Sequence, residues 1–192
     1  AANEGEAQVR LQRQIGRYEL QDRIDWRRVV AVCGDLAEPR LGLSVFRYEE
    51  ISGLVDAIYH TGAQVNFVPP YQALKAANVL ATEAVLRLAC YGKPKAIHYV
   101  STLSVFSETS FKNPNGHREQ DVPASGADLA NGYAQSKWVA EKLVRLAKDR
   151  GIQVTVYRPA TVAGDSRSGI WNTDDYLCRL IKGCIQIGYA PA

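Results

Sequence analysis

The feature that most constrains the fold is an alternation of short apolar runs with long stretches of helical periodicity. Short runs rich in apolar residues and followed by turn residues predict strands over 29–32, 57–60, 96–100 and 153–157. Apolar residues at helical spacing predict helices over 4–20, 47–54, 71–89, 133–150 and 173–187. Strands that alternate with helices of this length are typical of an α/β protein with a parallel sheet.

Small and polar residues follow each predicted strand. They are Gly34-Asp35, Thr61-Gly62-Ala63, Ser101-Thr102 and Arg158-Pro159-Ala160. In open parallel sheets, ligands bind outside the carboxyl ends of the strands, and small residues there let a ligand approach the backbone closely. Four consecutive strand ends of this character predict a cofactor cleft.

Composition and charge argue against several other classes of protein. The 192 residues suit one domain, and no apolar run approaches the ~20 residues of a membrane span. Lys plus Arg (23) exceeds Asp plus Glu (20) by only 3, so no strong positive field indicates nucleic acid. The four cysteines lack CxxC spacing, which predicts free thiols in a reducing, cytoplasmic compartment. The three histidines are not at ligand spacing, so no metal is expected.

Tyr133 and Lys137 form the sharpest chemical signal, because residues at i and i+4 share one face of a helix. The pKa of a phenol is about 10, and a nearby ammonium lowers it toward the range useful for acid–base catalysis. Thr102, after the preceding strand, is placed to hold a substrate oxygen. The alternative is that Tyr133 and Lys137 lie on an ordinary solvated helix face.

The chain also resembles a known family. The similar stretches are GDLAEPRLGLS (34–44), DAIYHTGAQVNFVPPYQALKAANVLAT (56–82), YVSTLSVF (99–106), GYAQSKWVAEKLV (132–144) and YRPATVAGDSRSGIWN (157–172). Together they resemble the extended short-chain dehydrogenase/reductases, and within these the thioester reductase branch. That branch includes the terminal reductase domains of nonribosomal peptide synthetases, carboxylic acid reductases and aminoadipate reductases.

The resemblance implies a role for individual residues of this sequence. Thr102, Tyr133 and Lys137 would be catalytic, with Lys137 also binding the nicotinamide ribose and lowering the pKa of Tyr133. Asp35 and Leu36 would flank the adenine, and Thr61, Gly62 and Ala63 would run beneath the cofactor. The carboxamide side of the nicotinamide would lie next to Arg158, Pro159 and Ala160. Arg10 is a weaker match to an arginine that contacts the 2′-phosphate of NADP.

The resemblance further implies a Rossmann-type, doubly wound parallel sheet in which residues 1–192 form one partial NAD(P)-binding reductase domain. The family's Gly-rich GxxGxxG loop has no match in this chain. We therefore expect a segment that begins just after the family's second strand and stops before most of its substrate region. Because the family's first strand lies in mid-sheet, we also expect a gap between the strands of this chain.

The implied function is NADPH-dependent reductive release of a carrier-bound thioester as an aldehyde or alcohol. The implied partner is a carrier domain with its phosphopantetheine arm, in the same polypeptide. Two alternatives stay open. One is a fatty acyl-CoA reductase, or a dehydrogenase or epimerase that acts on a free small molecule with the same residues. The other is a non-catalytic fragment that retains only part of the fold.

Overall fold

The computed structural model describes residues 3–106, 116–123, 125–126 and 128–191. The chain forms two compact units. The first, called here the helical unit, consists of residues 1–33 and 161–192, and the second, the sheet unit, consists of residues 34–160.

A three-stranded parallel sheet organises the sheet unit. Its strands are β1 (Ala57–His60), β2 (Ala96–Val100) and β3 (Val154–Tyr157), hydrogen-bonded in the order β1-β2-β3. Tyr59 pairs with His98, and Tyr99 pairs with Val156. The predicted parallel α/β architecture is confirmed, and the sheet with its flanking helices is Rossmann-like.

The helices of the sheet unit lie close to the predicted positions. They are α2 (Val45–Leu54), α3 (Tyr71–Lys75), a π-helical segment (Ala76–Leu80), α4 (Ala81–Cys90) and α5 (Gly132–Asp149), with 3₁₀ turns at Pro39–Gly42 and Leu103–Val105. Local capping explains two of the starts, since the side chains of Ser44 and Asn131 accept hydrogen bonds from the first turns of α2 and α5. The π-helical segment, which interrupts the helix predicted over 71–89, is a feature that often marks functional sites.

The core lies on one face of the sheet. Ile97 and Tyr99 of β2 pack with Ala89 of α4 and with Ala140 and Val144 of α5. Because side chains alternate along a strand, the neighbouring residues point to the other face. There, the rings of Tyr59 and His98 stack at 4.3 Å, and Tyr59 is exposed.

The helical unit contains α1 (Glu4–Arg17), 3₁₀ turns at Gln21–Arg23 and Trp26–Arg28, and α6 (Tyr176–Ile187). Asn3 and Asp175 cap the two α-helices through their side-chain oxygens. Arg17 at the end of α1 binds Asp174, just before α6, at 3.0 Å. This ion pair links the two sequence segments of the unit.

The strand predicted over 29–32 is wrong. None of the three strands in the sheet pairs with this run, and Val30 is 75% exposed. A strand is stabilised by hydrogen bonds to a neighbour, so an apolar run without one stays irregular. The three observed strands, β1, β2 and β3, are direct neighbours with no gap between them. The predicted loop over 107–130 falls partly outside the described residues.

Candidate active site

Lys137 is buried at the end of β2. Its Nζ donates a hydrogen bond of 2.7 Å to the carbonyl oxygen of Val100 and lies 4.3 Å above the ring of Tyr99. Only 3% of the residue is exposed. Burial lowers the pKa of Lys137 to about 8, and the nearby charge of Glu141 acts in the opposite direction. Lys137 therefore lies in an enclosed site and not on a solvated helix face.

Tyr133 lies one turn before Lys137 on α5 and is also buried. The ring of Phe67 packs edge-on against its ring at 5.3 Å. Burial raises the pKa of Tyr133 above its ordinary value of 10. The expected lowering of this pKa is therefore wrong here, because burial disfavours the charged forms of both the phenol and the ammonium.

Thr102 lies two residues beyond the Val100 carbonyl that binds Lys137. Its Oγ1 accepts a hydrogen bond of 3.2 Å from the backbone N–H of Ser104 and donates one of 3.2 Å to the Ser104 hydroxyl. The hydroxyl thus caps the 3₁₀ turn that follows β2. To donate a hydrogen bond to a substrate oxygen, the Thr102 hydroxyl would have to give up the one that it donates to the Ser104 hydroxyl.

The loop that follows β1 is fixed by a buried amide. Asn78, in the π-helical segment, accepts from the N–H of Gln64 at 2.7 Å and donates to the Gln64 carbonyl at 3.1 Å. It also donates to the hydroxyl of Ser136 at 2.9 Å, which in turn donates to the Tyr133 carbonyl at 2.8 Å. Asn78 therefore orders the backbone between β1 and α3 and links it to α5.

Two of the predicted cofactor segments meet in the sheet unit. Leu36 lies so close to Gly62 that a Cβ atom there would be 2.6 Å from Leu36 Cδ1. Asp35 turns the chain locally, since its Oδ1 accepts from the N–H of Ala37 at 2.8 Å. Beside Gly62, Thr61 is exposed and Ala63 is partly buried. The sequence signal of small residues after β1 thus corresponds to a close approach of two loops.

Arg158 lies directly after β3, but its guanidinium faces protein groups. It binds Glu141 through Nε at 3.1 Å and Nη2 at 2.6 Å, and Nη2 also donates to the Asp121 carbonyl at 2.9 Å. The Pro159 carbonyl accepts from the N–H of Leu103 at 3.1 Å, and the neighbouring Ala160 is exposed. A contact of this segment with a cofactor would therefore use atoms other than the Arg158 guanidinium.

Glu141 is the residue that sequence reasoning missed. It is a carboxylate with only 1% exposure, four residues after Lys137 on the buried face of α5. Burial alone would raise the pKa of Glu141, but hydrogen bonds from Arg158, Ser101 and Arg145 outweigh it and leave the pKa below its ordinary value. An acidic residue within the apolar stripe of a helix is the signal that would have identified it.

A cavity of about 640 Å³ opens in the sheet unit beside Arg158. Its lining includes Leu103 and Pro159, which follow the ends of β2 and β3, together with Phe106, Arg118 and Arg145. In the helical unit, Arg10 and Arg13 line a separate surface cavity of about 570 Å³ on α1. Among the described residues, no group of three or more His, Cys, Asp or Glu could hold a metal, and no helix is long and apolar enough to cross a membrane.

This chain is similar in sequence to known proteins. The profile of the NAD-binding 4 family, described as Male sterility protein, matches residues 1–192. A subunit of the linear gramicidin synthase of Brevibacillus parabrevis is 45% identical over 100% of this chain and 4% of its own length. The large subunit of L-2-aminoadipate reductase of Penicillium chrysogenum is 39% identical over 100% of this chain and 14% of its own length.

A solved structure is also similar. The crystal structure of the terminal R domain from the myxalamid PKS-NRPS biosynthetic pathway matches with a TM-score of 0.95 and 46% identity, covering 100% of this chain and 48% of that one. This chain therefore spans a small part of the curated relatives and about half of the solved domain.

Proposed function

Since the chain belongs to the NAD-binding family described as Male sterility protein, we propose that it is part of an NADPH-dependent reductase that releases a carrier-bound thioester as an aldehyde or alcohol. One observation carries this proposal. Lys137, buried and bound to the end of β2, shares a helix with the buried Tyr133, and Thr102 follows the same strand end. A lysine and a tyrosine that served only solubility would not be enclosed in this way.

The strand ends fit a nicotinamide cofactor. A Cβ atom at Gly62 would lie 2.6 Å from Leu36 Cδ1, so the backbone there is in close contact with that side chain, and Asn78 fixes the backbone that follows. We propose that Asp35 and Leu36 flank the adenine and that Thr61, Gly62 and Ala63 run beneath the cofactor. Lys137 would bind the nicotinamide ribose, and the main chain of 158–160 would meet the nicotinamide. When bound, NADPH supplies a hydride.

The chain's own residues would supply the proton and hold the developing charge. The raised pKa of Tyr133 keeps its phenol protonated at neutral pH, as a proton donor in a reduction requires. Thr102 would donate a second hydrogen bond to the oxyanion that forms from the thioester carbonyl. Protonation of this oxyanion gives a hemithioacetal, which collapses to an aldehyde while its hydroxyl proton passes to the departing pantetheine thiol. A second hydride and a second proton would be needed to convert the aldehyde into an alcohol.

The substrate class rests on the relatives. A linear gramicidin synthase, an aminoadipate reductase and a terminal R domain of a PKS-NRPS pathway each contain a segment similar to this chain. We therefore propose an acyl or peptidyl thioester on a phosphopantetheine arm as substrate. The carrier domain that bears this arm would be the partner.

The test uses the full-length natural protein. It is incubated with an acyl-pantetheine thioester and with either NADPH or NADH, and aldehyde and alcohol are measured by mass spectrometry. We expect product with NADPH. Turnover of an acyl-CoA, a simple ketone or a sugar nucleotide, without product from the pantetheine thioester, would contradict the proposed substrate. Absence of saturable NADPH binding in a fluorescence titration would instead support a non-catalytic role.

A further inference from the structure

Glu141 is the centre of a buried ionic cluster. Its Oε1 accepts from Arg158 Nη2 at 2.6 Å and from Arg145 Nε at 3.0 Å. Its Oε2 accepts from Arg158 Nε at 3.1 Å and from Ser101 Oγ at 2.7 Å. Four charge-assisted hydrogen bonds on one enclosed carboxylate form a rigid arrangement, because losing any donor leaves a buried charge less well paired.

The cluster joins three elements at the same edge of the sheet. Glu141 and Arg145 belong to α5, Ser101 directly follows β2, and Arg158 directly follows β3. One turn earlier on α5, Lys137 binds the carbonyl oxygen of Val100, which is the residue before Ser101. Val100 and Ser101, which are adjacent at the end of β2, therefore bind residues on two successive turns of α5.

Lys137 has titratable neighbours on three elements. Glu141 acts on it from α5, the neutral ring of Tyr99 faces it from β2, and His60 interacts with it from β1. Burial lowers the pKa of His60 to about 4, so this histidine is neutral at pH 7. Among these neighbours, the negative charge that favours the ammonium form of Lys137 is that of Glu141.

We propose that Glu141 is a positioning residue, which holds the helix of Lys137 against the ends of β2 and β3 and provides the charge that stabilises the Lys137 ammonium. This proposal rests on the proposed function only for the claim that the Lys137 ammonium is used in cofactor binding and turnover. The titration of Lys137 itself is independent of that claim.

The test compares Glu141→Gln, Arg145→Gln and the matched control Arg145→Lys in the full-length natural protein. Glu141→Gln removes the negative charge, so the pKa of Lys137 should fall, by roughly half a unit or more. Arg145→Gln removes a positive charge from the same carboxylate, so the pKa of Lys137 should rise, whereas Arg145→Lys should leave it unchanged. The pKa is measured by competitive amine labelling across pH, with mass spectrometry of the peptide that contains residue 137.

NADPH affinity and kcat/KM across pH provide the second measurement. The alkaline limb of both profiles should move to lower pH in Glu141→Gln and to higher pH in Arg145→Gln. A merely structural cluster would reduce activity in both variants without opposite shifts, and that result would overturn the proposal. If Glu141→Gln does not fold, the two Arg145 variants provide the test. A rise in the pKa of Lys137 in Arg145→Gln, without a rise in Arg145→Lys, supports the proposal. Any other result contradicts it. Opposite labelling shifts without thioester turnover would instead refute the proposed function.

Discussion

The Nζ atom of Lys137 donates a hydrogen bond of 2.7 Å to the carbonyl oxygen of Val100, the last residue of β2. This single bond places an ammonium group in a nearly closed site and anchors α5 to the sheet. Enclosing a charge in this way costs folding free energy, and the lowered pKa of Lys137 is the measure of that cost. A buried residue that lowers the stability of the folded protein indicates a functional role, because function is a common reason for such a cost.

Replacing Lys137 with Met should therefore change how stability depends on pH. The folded-state pKa of about 8 lies below the ordinary value of 10.5, so the unfolded chain binds more protons between these values. The wild-type protein should gain stability relative to Lys137→Met as the pH rises from 8 to 10, by up to about 3 kcal/mol. Chemical unfolding of both proteins at several pH values measures the difference. A constant difference would show that Lys137 does not titrate in this range.

Tyr133→Phe should slow turnover strongly without disturbing the fold. The substitution removes the phenolic hydroxyl but keeps the ring that packs against Phe67. Losing a positioned general acid costs about 10²–10⁴-fold in rate, whereas NADPH affinity should change little. Single-turnover rates and a fluorescence titration on the full-length protein separate the two effects. A folded variant with a rate within about twofold of wild type would exclude Tyr133 as the proton donor.

The sequence is sufficient to predict the elements of the sheet unit but not its buried polar contacts. The strands at 57–60 and 96–100 match β1 and β2 because apolar composition and turn residues are local properties. The run at 29–32 has the same composition, yet a strand also needs a partner, which no local pattern specifies. The spacing of Tyr133 and Lys137 indicates a shared face, but burial of both groups depends on residues distant in sequence. For the same reason, the ion pair between Glu141 and Arg158, 17 positions apart, was not predicted.

His60 should make the protein sensitive to mild acid. Its Nε2 lies 3.0 Å from Thr82 Oγ1, which donates its own hydrogen to the Asn78 carbonyl and so accepts from His60. Burial lowers the pKa of His60 from 6.5 to about 4, so the unfolded chain binds the extra proton first as the pH falls. The contribution of His60 is complete above pH 6.5 and declines toward pH 4, by up to about 3 kcal/mol.

The control for this prediction is His60→Gln, which retains a hydrogen-bond donor but does not titrate. The free energy of unfolding of the wild type should fall relative to that of the variant between pH 6.5 and 4. Because the carboxylates titrate equally in both proteins, the difference isolates the histidine. Parallel pH profiles would mean that His60 is not buried as the structure has it.

Gly132→Ala should severely destabilise the sheet unit. A Cβ atom at Gly132, the first residue of α5, would lie 2.4 Å from the backbone nitrogen of Tyr71 and 2.5 Å from the carbonyl oxygen of Pro69. Backbone atoms cannot move aside as a flexible side chain does, so the start of α5 must shift away from the start of α3. The strain should cost roughly 1–3 kcal/mol or more. Gly53→Ala in α2 is the matched control, since nothing lies within 4 Å of its added Cβ. That change should be neutral or stabilise the helix by up to about 1 kcal/mol. Thermal unfolding of both variants tests the contact, and equal midpoints would show that α5 does not begin against the Pro69–Tyr71 backbone.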